Sequence, residues 1–363
     1  MREKVGYIPT LDGWRAIAIT GVIFAHSVYR ALPFIGQHYT SVMGDLGGHG
    51  VDLFFAISGL LICSRLLDEE KKFGHISLRG FYVRRAFRIL PPAVLYLAAV
   101  GILSLIGILT ISKLDWFASL LFFRNYTVTL SPPSTRWWFT SHYWSLSVEE
   151  HFYLILPGVL LFIKNRRLTA LGIMIALVEI CKFSIFHWGQ VDRTLYQFHT
   201  EIRLDTLLIP AFIAVWIRRG SNQQLLKRLL PAWSFFILLP IYIYLIKNYG
   251  LWPITACVAP LLVLSTVYNP RMFVGRILES KSLRWIGRLS YSLYLWQQLF
   301  VCNRFVQIKP LGFLESPPLN ILLALACAAA SFYLVELPTM RLGHRMAKPA
   351  TPGHRDVAIT SLT

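Results

Sequence analysis

The chain has 363 residues, of which 55% are apolar and 15% are charged, and its mean hydropathy is +0.53. Water-soluble domains seldom show this combination, so the composition excludes an ordinary soluble enzyme and makes the lipid bilayer the expected surroundings. The formal net charge of +18 could indicate a nucleic-acid-binding protein. The Lys and Arg residues fall between the apolar segments instead, and we therefore expect no nucleic-acid partner.

Apolar segments of about 20 residues, the length of a bilayer-spanning helix, recur from residue 14 to residue 340. They predict an all-α, polytopic integral membrane protein with about ten transmembrane helices. The predicted helices lie at 14–30, 49–66, 89–111, 143–163, 168–187, 203–217, 230–246, 251–268, 287–303 and 319–340. We expect one membrane domain over residues 1–345 and a disordered cytoplasmic tail over 346–363, with no attached soluble domain.

The distribution of basic residues predicts the orientation of these helices. Ten spans place both termini on one side, which carries 23 of the Lys and Arg residues, whereas the opposite side carries 8. Under the positive-inside rule, both termini are expected in the cytoplasm. The first apolar segment contains Arg15 and His26 and has no small-residue cleavage site, so we expect an uncleaved helix rather than a signal peptide.

The first helix carries ionisable residues at membrane depth. Arg15 and His26 are eleven residues apart, so they lie within roughly 20° of one helix face, with His26 about 16 Å deeper. Asp12 joins that face just below Arg15. Such residues mark functional sites or structural pairs. A purely structural alternative has Arg15 reaching the membrane surface and His26 donating to a neighbouring carbonyl.

The basic segment before the third helix contains Arg84, Arg85 and Arg88. If this segment is helical, Arg85 and Arg88 lie three apart on one face, and Arg84 lies four from Arg88. Guanidinium groups bind phosphate oxygens in bidentate fashion, so this spacing favours a phosphate-binding site over ordinary membrane anchoring.

A carboxylate in the fourth helix is the other candidate site residue. Glu149 lies about a turn and a half from the outer end, where it is costly unless it faces a cavity or a partner. It could orient a substrate hydroxyl, support His26 or form a structural hydrogen bond, whereas Glu150 points about 100° away. Asp52, Arg203, Asp205 and Glu336 lie near helix ends, where pairing or capping is expected. No CxxC or HExxH motif occurs, so no metal is predicted.

Seven motifs in the same order as in the family make the chain resemble the membrane-bound acyltransferase family 3. They are Leu11–Arg15 with His26, Gly50–Ile62, Phe81–Pro91, Trp144–Tyr153, Arg203–Asp205, Gly287–Trp296 and Glu336–Pro338. The resemblance implies an O-acetyltransferase of a bacterial inner membrane. It would move an acyl group, usually acetyl, from cytoplasmic acetyl-CoA to a hydroxyl of a carbohydrate or glycolipid acceptor across the membrane.

The resemblance also assigns roles to residues. It points to Arg85 and Arg88 for acyl-CoA, and His26 would take the proton of the attacking hydroxyl or be acylated itself. Many family members have a histidine where this chain has Gln297, and glutamine cannot exchange a proton near neutral pH. Two rival readings are a transporter or flippase, since intramembrane charges also mark transport pathways, and a non-catalytic subunit of a polysaccharide export system.

Overall fold

The computed structural model describes residues 7–31, 47, 49–127, 135–189, 196–249, 253–301 and 311–347. These stretches contain helices and no strand, which confirms the all-α class. In chain order the α-helices are α1 (Pro9–Ala31), α2 (Gly50–Phe73), α3 (Leu78–Leu105), α4 (Lys113–Leu120), α5 (Arg124–Thr127), α6 (Thr135–Ser141), α7 (Tyr143–Phe162), α8 (Arg167–His187), α9 (Thr200–Arg203), α10 (Asp205–Ile217), α11 (Asn222–Leu229), α12 (Ser234–Tyr249), α13 (Pro253–Tyr268), α14 (Phe273–Leu278), α15 (Lys281–Phe300), α16 (Leu319–Ser331) and α17 (Leu337–Met346). The predicted disordered tail lies outside the described residues, except for its first two.

A helix lies at each of the ten predicted positions. Five helical stretches are long and apolar enough to cross a membrane, and a sixth qualifies if α11 and α12, bent by 82°, form one span. The five are Gly50–Phe73, Leu78–Leu105, Trp138–Phe162, Lys164–His187 and Leu319–Met346. The membrane class is therefore confirmed, while ten crossings and cytoplasmic termini remain predictions.

Helix α8 shows how the outside of the bundle suits lipid. Its side chains Ile173, Leu177 and Ile180 are 56%, 60% and 62% exposed. A soluble protein would lose free energy by leaving such a row of aliphatic groups in water, whereas hydrocarbon solvates them without cost. The backbone of the helix satisfies its own hydrogen bonds, as a lipid-facing segment requires.

Helices α1 and α15 pack side by side and run in the same direction. At one end Gly287 of α15 lies against Asp12 of α1, and a Cβ atom built on Gly287 would lie 1.8 Å from the Asp12 carbonyl oxygen. At the other end His26 of α1 contacts Gln297 of α15. Small residues permit such close backbone approach between membrane helices. We call the end where α1 begins the basic end of the bundle.

We expect the substitution Gly287→Ala to force α1 and α15 apart, because the neighbouring atom is backbone and cannot rotate away. Overpacking of this kind typically costs about 1–3 kcal/mol, and here it would also separate His26 from Gln297. The melting temperature in detergent should fall together with activity. Gly158→Ala in α7 is the matched control, since a Cβ there meets no atom within 4 Å. Equal melting temperatures for the two variants would contradict the close α1–α15 contact.

Helix α16 continues into α17 through one π-helical turn, Phe332–Glu336. A π turn adds a residue to the helical repeat and often marks a functional position. It carries Glu336, whose Oε2 accepts a hydrogen bond from Ser292 Oγ at 2.7 Å. The turn thereby holds a carboxylate against α15 at the basic end of the bundle.

Candidate active site

Asp12 and Arg15 form a pair at the start of α1. Arg15 Nη1 lies 3.1 Å from Asp12 Oδ1, and the Tyr7 hydroxyl donates to Asp12 Oδ2 at 2.5 Å. Burial and then the hydrogen bond to Asp12 raise the pKa of Tyr7, so this hydroxyl stays protonated as a donor. The Asp12 carboxylate thus accepts from two side chains and holds Arg15 in place.

His26 lies farther along α1 and belongs to a different environment. Its Nδ1 is 2.9 Å from Oε1 of Gln297. The indole of Trp138 meets the imidazole edge to face, with ring centroids 5.1 Å apart. Helices α6 and α15 therefore fix the ring, and the hydrogen-bond partner of His26 is a side chain rather than the neighbouring carbonyl of the structural alternative.

A cavity of about 420 Å³ opens at the basic end of the bundle, and we call it the basic cavity. It lies between α1, α2, α3, α15, the π turn and α17. Its volume is within the range of small-molecule sites. Six arginines line it, against three carboxylates: Arg15, Arg65, Arg84, Arg85, Arg88 and Arg288, with Asp12, Glu69 and Glu336. The excess of positive charge suits an anionic ligand.

The arginines of the basic cavity differ in their partners. Arg84 Nη2 forms an ion pair with Glu69 Oε2 at 2.8 Å. The guanidinium of Arg85 lies over the ring of Tyr153, 4.2 Å from its centroid. Within the stretches that the structure describes, Arg65, Arg85 and Arg88 have no carboxylate within ion-pair distance. The predicted arginine triad therefore shares one cavity, but Arg84 is paired while Arg85 and Arg88 are not.

A smaller pocket of about 80 Å³ continues from the basic cavity toward the middle of the bundle, and we call it the inner pocket. Arg15, Arg85 and Arg88 line both spaces. The remaining polar groups of the inner pocket are Ser58, Ser145, Glu149, Tyr153, Ser290, Tyr291 and Tyr294. The three arginines therefore lie between the two spaces, and we call the position that they share the arginine passage.

Glu149 faces the inner pocket, where its Oε1 accepts a hydrogen bond from Ser58 Oγ at 2.5 Å. Glu150 lines neither the basic cavity nor the inner pocket, as its predicted direction on the helix requires. Glu149 lines the inner pocket together with Arg15, Arg85 and Arg88, and among the described residues it makes no hydrogen bond to His26.

Helix α15 connects the inner pocket with His26. Tyr294 lines the pocket, and its hydroxyl lies 2.7 Å from Ser145 Oγ. Gln297 follows almost one turn later and donates through Nε2 to the carbonyl oxygen of Tyr294 at 3.3 Å. A row of polar groups therefore runs along α15 from the basic cavity to the imidazole.

Three of the four charged residues predicted to pair or cap at helix ends, Asp52, Arg203 and Asp205, form ion pairs. Glu336, the fourth, lines the basic cavity and accepts a hydrogen bond from Ser292 instead. Arg203 forms an ion pair with Asp52, which also lies 2.5 Å from His49 Nδ1. Lys182 of α8 pairs with Asp205 of α10 at 2.8 Å. These pairs join helices away from the basic cavity, so each of the four buried charges has a partner of opposite charge.

Sequence reasoning missed several residues of the site. Ser58, Tyr153 and Tyr294 lie within the family motifs, but neutral side chains in apolar runs carry no charge signal. Arg65 was visible as a charge inside the second predicted helix, yet only the structure places it in the basic cavity. The sequence shows Gln297 as a departure from the family, but it does not predict the contact of Gln297 with His26.

Comparisons with known proteins agree on one family. A model of the acyltransferase domain, named acyltransferase 3, matches residues 8–337. The O-acetyltransferase OatA of Staphylococcus aureus (strain NCTC 8325) is 28% identical over 378 residues, which cover 93% of this chain and 58% of that protein. A putative O-acetyltransferase of S. aureus (strain COL) is 27% identical over 382 residues, with 94% and 58% covered.

This chain therefore spans about three fifths of the length of these curated relatives. No solved structure matches it. The family model covers almost the whole described chain, including the inner pocket, His26 and all residues of the basic cavity except Tyr7, Met340 and His344. The chain belongs to the acyltransferase 3 family.

Proposed function

We propose that the protein transfers an acyl group, in the simplest case acetyl, from acyl-CoA to a hydroxyl of a carbohydrate or glycolipid. The observation that carries this proposal is the basic cavity beside the inner pocket. Its Arg65, Arg85 and Arg88 have no carboxylate partner among the described residues. The relatives OatA and the second S. aureus protein are named as an O-acetyltransferase and a putative O-acetyltransferase, which supports the same reaction.

The donor is proposed to bind in the basic cavity. CoA carries several phosphate charges, and phosphate oxygens are good acceptors for guanidinium groups that have no other partner. Arg85 and Arg88 also line the inner pocket, so a donor held by them points its thioester arm away from the basic end. Positive-inside orientation would set this end toward the cytoplasm of a bacterial cell, where acetyl-CoA is made.

The acceptor hydroxyl is proposed to react at His26. The imidazole takes the hydroxyl proton as the oxygen attacks the thioester carbon, the new C–O bond forms and the C–S bond breaks. The imidazolium then gives its proton to the CoA thiolate. If His26 is acylated first, the acyl carbon bonds to the ring nitrogen and the thiolate leaves. In a second step the hydroxyl oxygen attacks that carbon, the C–N bond breaks, and the freed ring nitrogen takes the hydroxyl proton and passes it to the thiolate. Both routes use the same lone pair of the ring.

Glu149 is proposed to orient a substrate in the inner pocket. The hydrogen bond of Gln297 to Nδ1 of His26 supports this role over direct support of His26 by Glu149. The carboxylate accepts from Ser58 and lies beside the passage formed by Arg15, Arg85 and Arg88, where it opposes their positive charge. The negative charge of Glu149 would weaken phosphate binding at the passage, so that the passage accommodates the donor arm and not the phosphates.

Acetyl-CoA labelled in its acetyl group, added to the outside of inverted vesicles that contain the protein and a glycan acceptor, tests the proposal. We expect label to become covalently attached to acceptor inside the vesicles. A transporter or flippase would move label or acceptor without forming an ester, and a non-catalytic subunit would leave the label on CoA. Either result, with correctly oriented protein, would overturn the proposed function.

A further inference from the structure

Two adjacent glutamines of α15 form a chain of hydrogen bonds that ends at the ring of His26. Gln297 and Gln298 are 0% and 1% exposed, so neither amide exchanges its partners with water. Nε2 of Gln298 lies 2.8 Å from the carbonyl oxygen of Trp138 and 2.9 Å from Oγ of Ser141. The Ser141 hydroxyl itself donates to the Trp138 carbonyl at 2.9 Å. The far end of the chain is thus anchored on the backbone of α6.

The direction of each hydrogen bond follows from that anchor. A backbone carbonyl only accepts, so Gln298 must point its amide nitrogen at Trp138 and its Oε1 toward Gln297. That Oε1 lies 2.9 Å from Nε2 of Gln297, which also donates to the carbonyl oxygen of Tyr294. With its nitrogen committed to two acceptors, Gln297 presents Oε1 to Nδ1 of His26 at 2.9 Å.

We propose that Gln297 is a positioning residue that holds neutral His26 in the tautomer protonated on Nδ1, with the lone pair on Nε2. An amide oxygen cannot donate, so the hydrogen bond exists only if Nδ1 carries the proton. This inference rests on the proposed function, because it names Nε2 as the atom that meets the acceptor hydroxyl or the acyl carbon.

The proton balance of the transfer is closed by this arrangement. Nε2 receives the hydroxyl proton while Nδ1 keeps its own, and the imidazolium so formed still donates to Gln297. Nε2 then releases the same proton to the CoA thiolate, which restores the starting tautomer. Gln297 neither gains nor loses a proton in the cycle, so an amide suffices at this position where a titrating side chain is not required.

The tautomer can be measured directly by ¹⁵N NMR of protein labelled in its histidines, with the His26 signals assigned by their loss in His26→Gln. In the wild type we expect a protonated Nδ1 and an unprotonated Nε2. Gln297→Leu should give a mixture of tautomers. Gln297→His should retain the wild-type pattern, because a second imidazole can accept from His26 and donate to Gln298. Gln224→Leu, a substitution at an exposed amide of α11, should change nothing.

Kinetics provide the second readout. Gln297→Leu should lower kcat about 10- to 100-fold, the range known for partners that orient metal-ligating histidines, with little change in KM for acetyl-CoA. A wild type protonated on Nε2, or an unchanged tautomer in Gln297→Leu, would overturn the proposal. The wild-type spectrum decides even if Gln297→Leu does not fold. Because the spectrum needs no turnover, it also separates failure of this inference from failure of the proposed transferase activity.

Discussion

The substitution His26→Ala is expected to abolish acyl transfer while leaving the protein folded. A positioned acid–base group contributes about 10²- to 10⁴-fold to a rate, and loss of an acylated nucleophile removes its pathway altogether. Ester formation on the glycan, measured by mass spectrometry, should therefore fall to background. The imidazole makes one side-chain hydrogen bond in the described structure, and its removal leaves Oε1 of buried Gln297 without that partner. The expected cost is about 1–3 kcal/mol, which is less than the stability of a typical folded protein.

His75→Ala is the matched control for this experiment. His75 is exposed between α2 and α3 and contacts the carbonyl oxygen of Phe73, far from α15 in the chain. Its substitution should leave ester formation unchanged. Wild-type ester formation by His26→Ala would refute the role of His26 in both routes. Intact-protein mass spectrometry with labelled acetyl-CoA and no acceptor would show whether His26 itself carries the acyl group.

The second large effect is expected from Arg85→Ala and Arg88→Ala, which should each raise KM for acetyl-CoA about 10- to 100-fold. This range corresponds to about 1.5–3 kcal/mol for a hydrogen bond between charged groups. Neither guanidinium has a carboxylate partner within the described stretches, so the whole loss should fall on the ligand. If donor binding is their sole role, kcat at saturating donor should stay near the wild-type value.

Substitutions of two further arginines serve as controls for the expected change in KM. Arg84→Ala should raise KM only a few-fold, because its guanidinium already pairs with Glu69. Arg79→Ala, at an exposed position in the first turn of the same helix, should leave KM unchanged. An unchanged KM in both Arg85→Ala and Arg88→Ala would show that the donor binds elsewhere. A lower kcat at unchanged KM would assign these residues to the transition state instead of to donor binding.

The positions of the helices were predictable because apolar segments of spanning length leave few alternatives in lipid. The boundaries were less accurate where a helix carries charge. Helix α3 begins at Leu78, eleven residues before its predicted start, because hydropathy excludes the arginines that face the basic cavity. A local signal was present, since Ser77 caps the helix by accepting from the Gly80 amide at 3.1 Å.

In the candidate site, contacts between residues close in sequence were predictable, whereas contacts between residues far apart in sequence were not. Arg85 and Arg88 fall on one helix face, as three-residue spacing predicts, and Asp12 meets Arg15 for the same reason. The contact between His26 and Gln297 joins positions 271 residues apart, and no local pattern indicates it. The ion pair of Arg84 with Glu69 likewise joins α3 to α2, so the local spacing could not separate Arg84 from Arg85 and Arg88, which have no carboxylate partner among the described residues.

The parallel packing of α1 and α15 fixes the distance between the arginine passage and His26. Arg15 and His26 lie on the same helix, about 16 Å apart along its axis. Gly287 permits close packing of that helix against α15, which carries Gln297. A donor whose phosphate binds beside the arginine passage would present its acyl group to His26 only if the arm between phosphate and thioester spans this distance. Selection among thioesters would then depend on reach as well as on charge, and a carrier with a shortened arm would bind without being consumed.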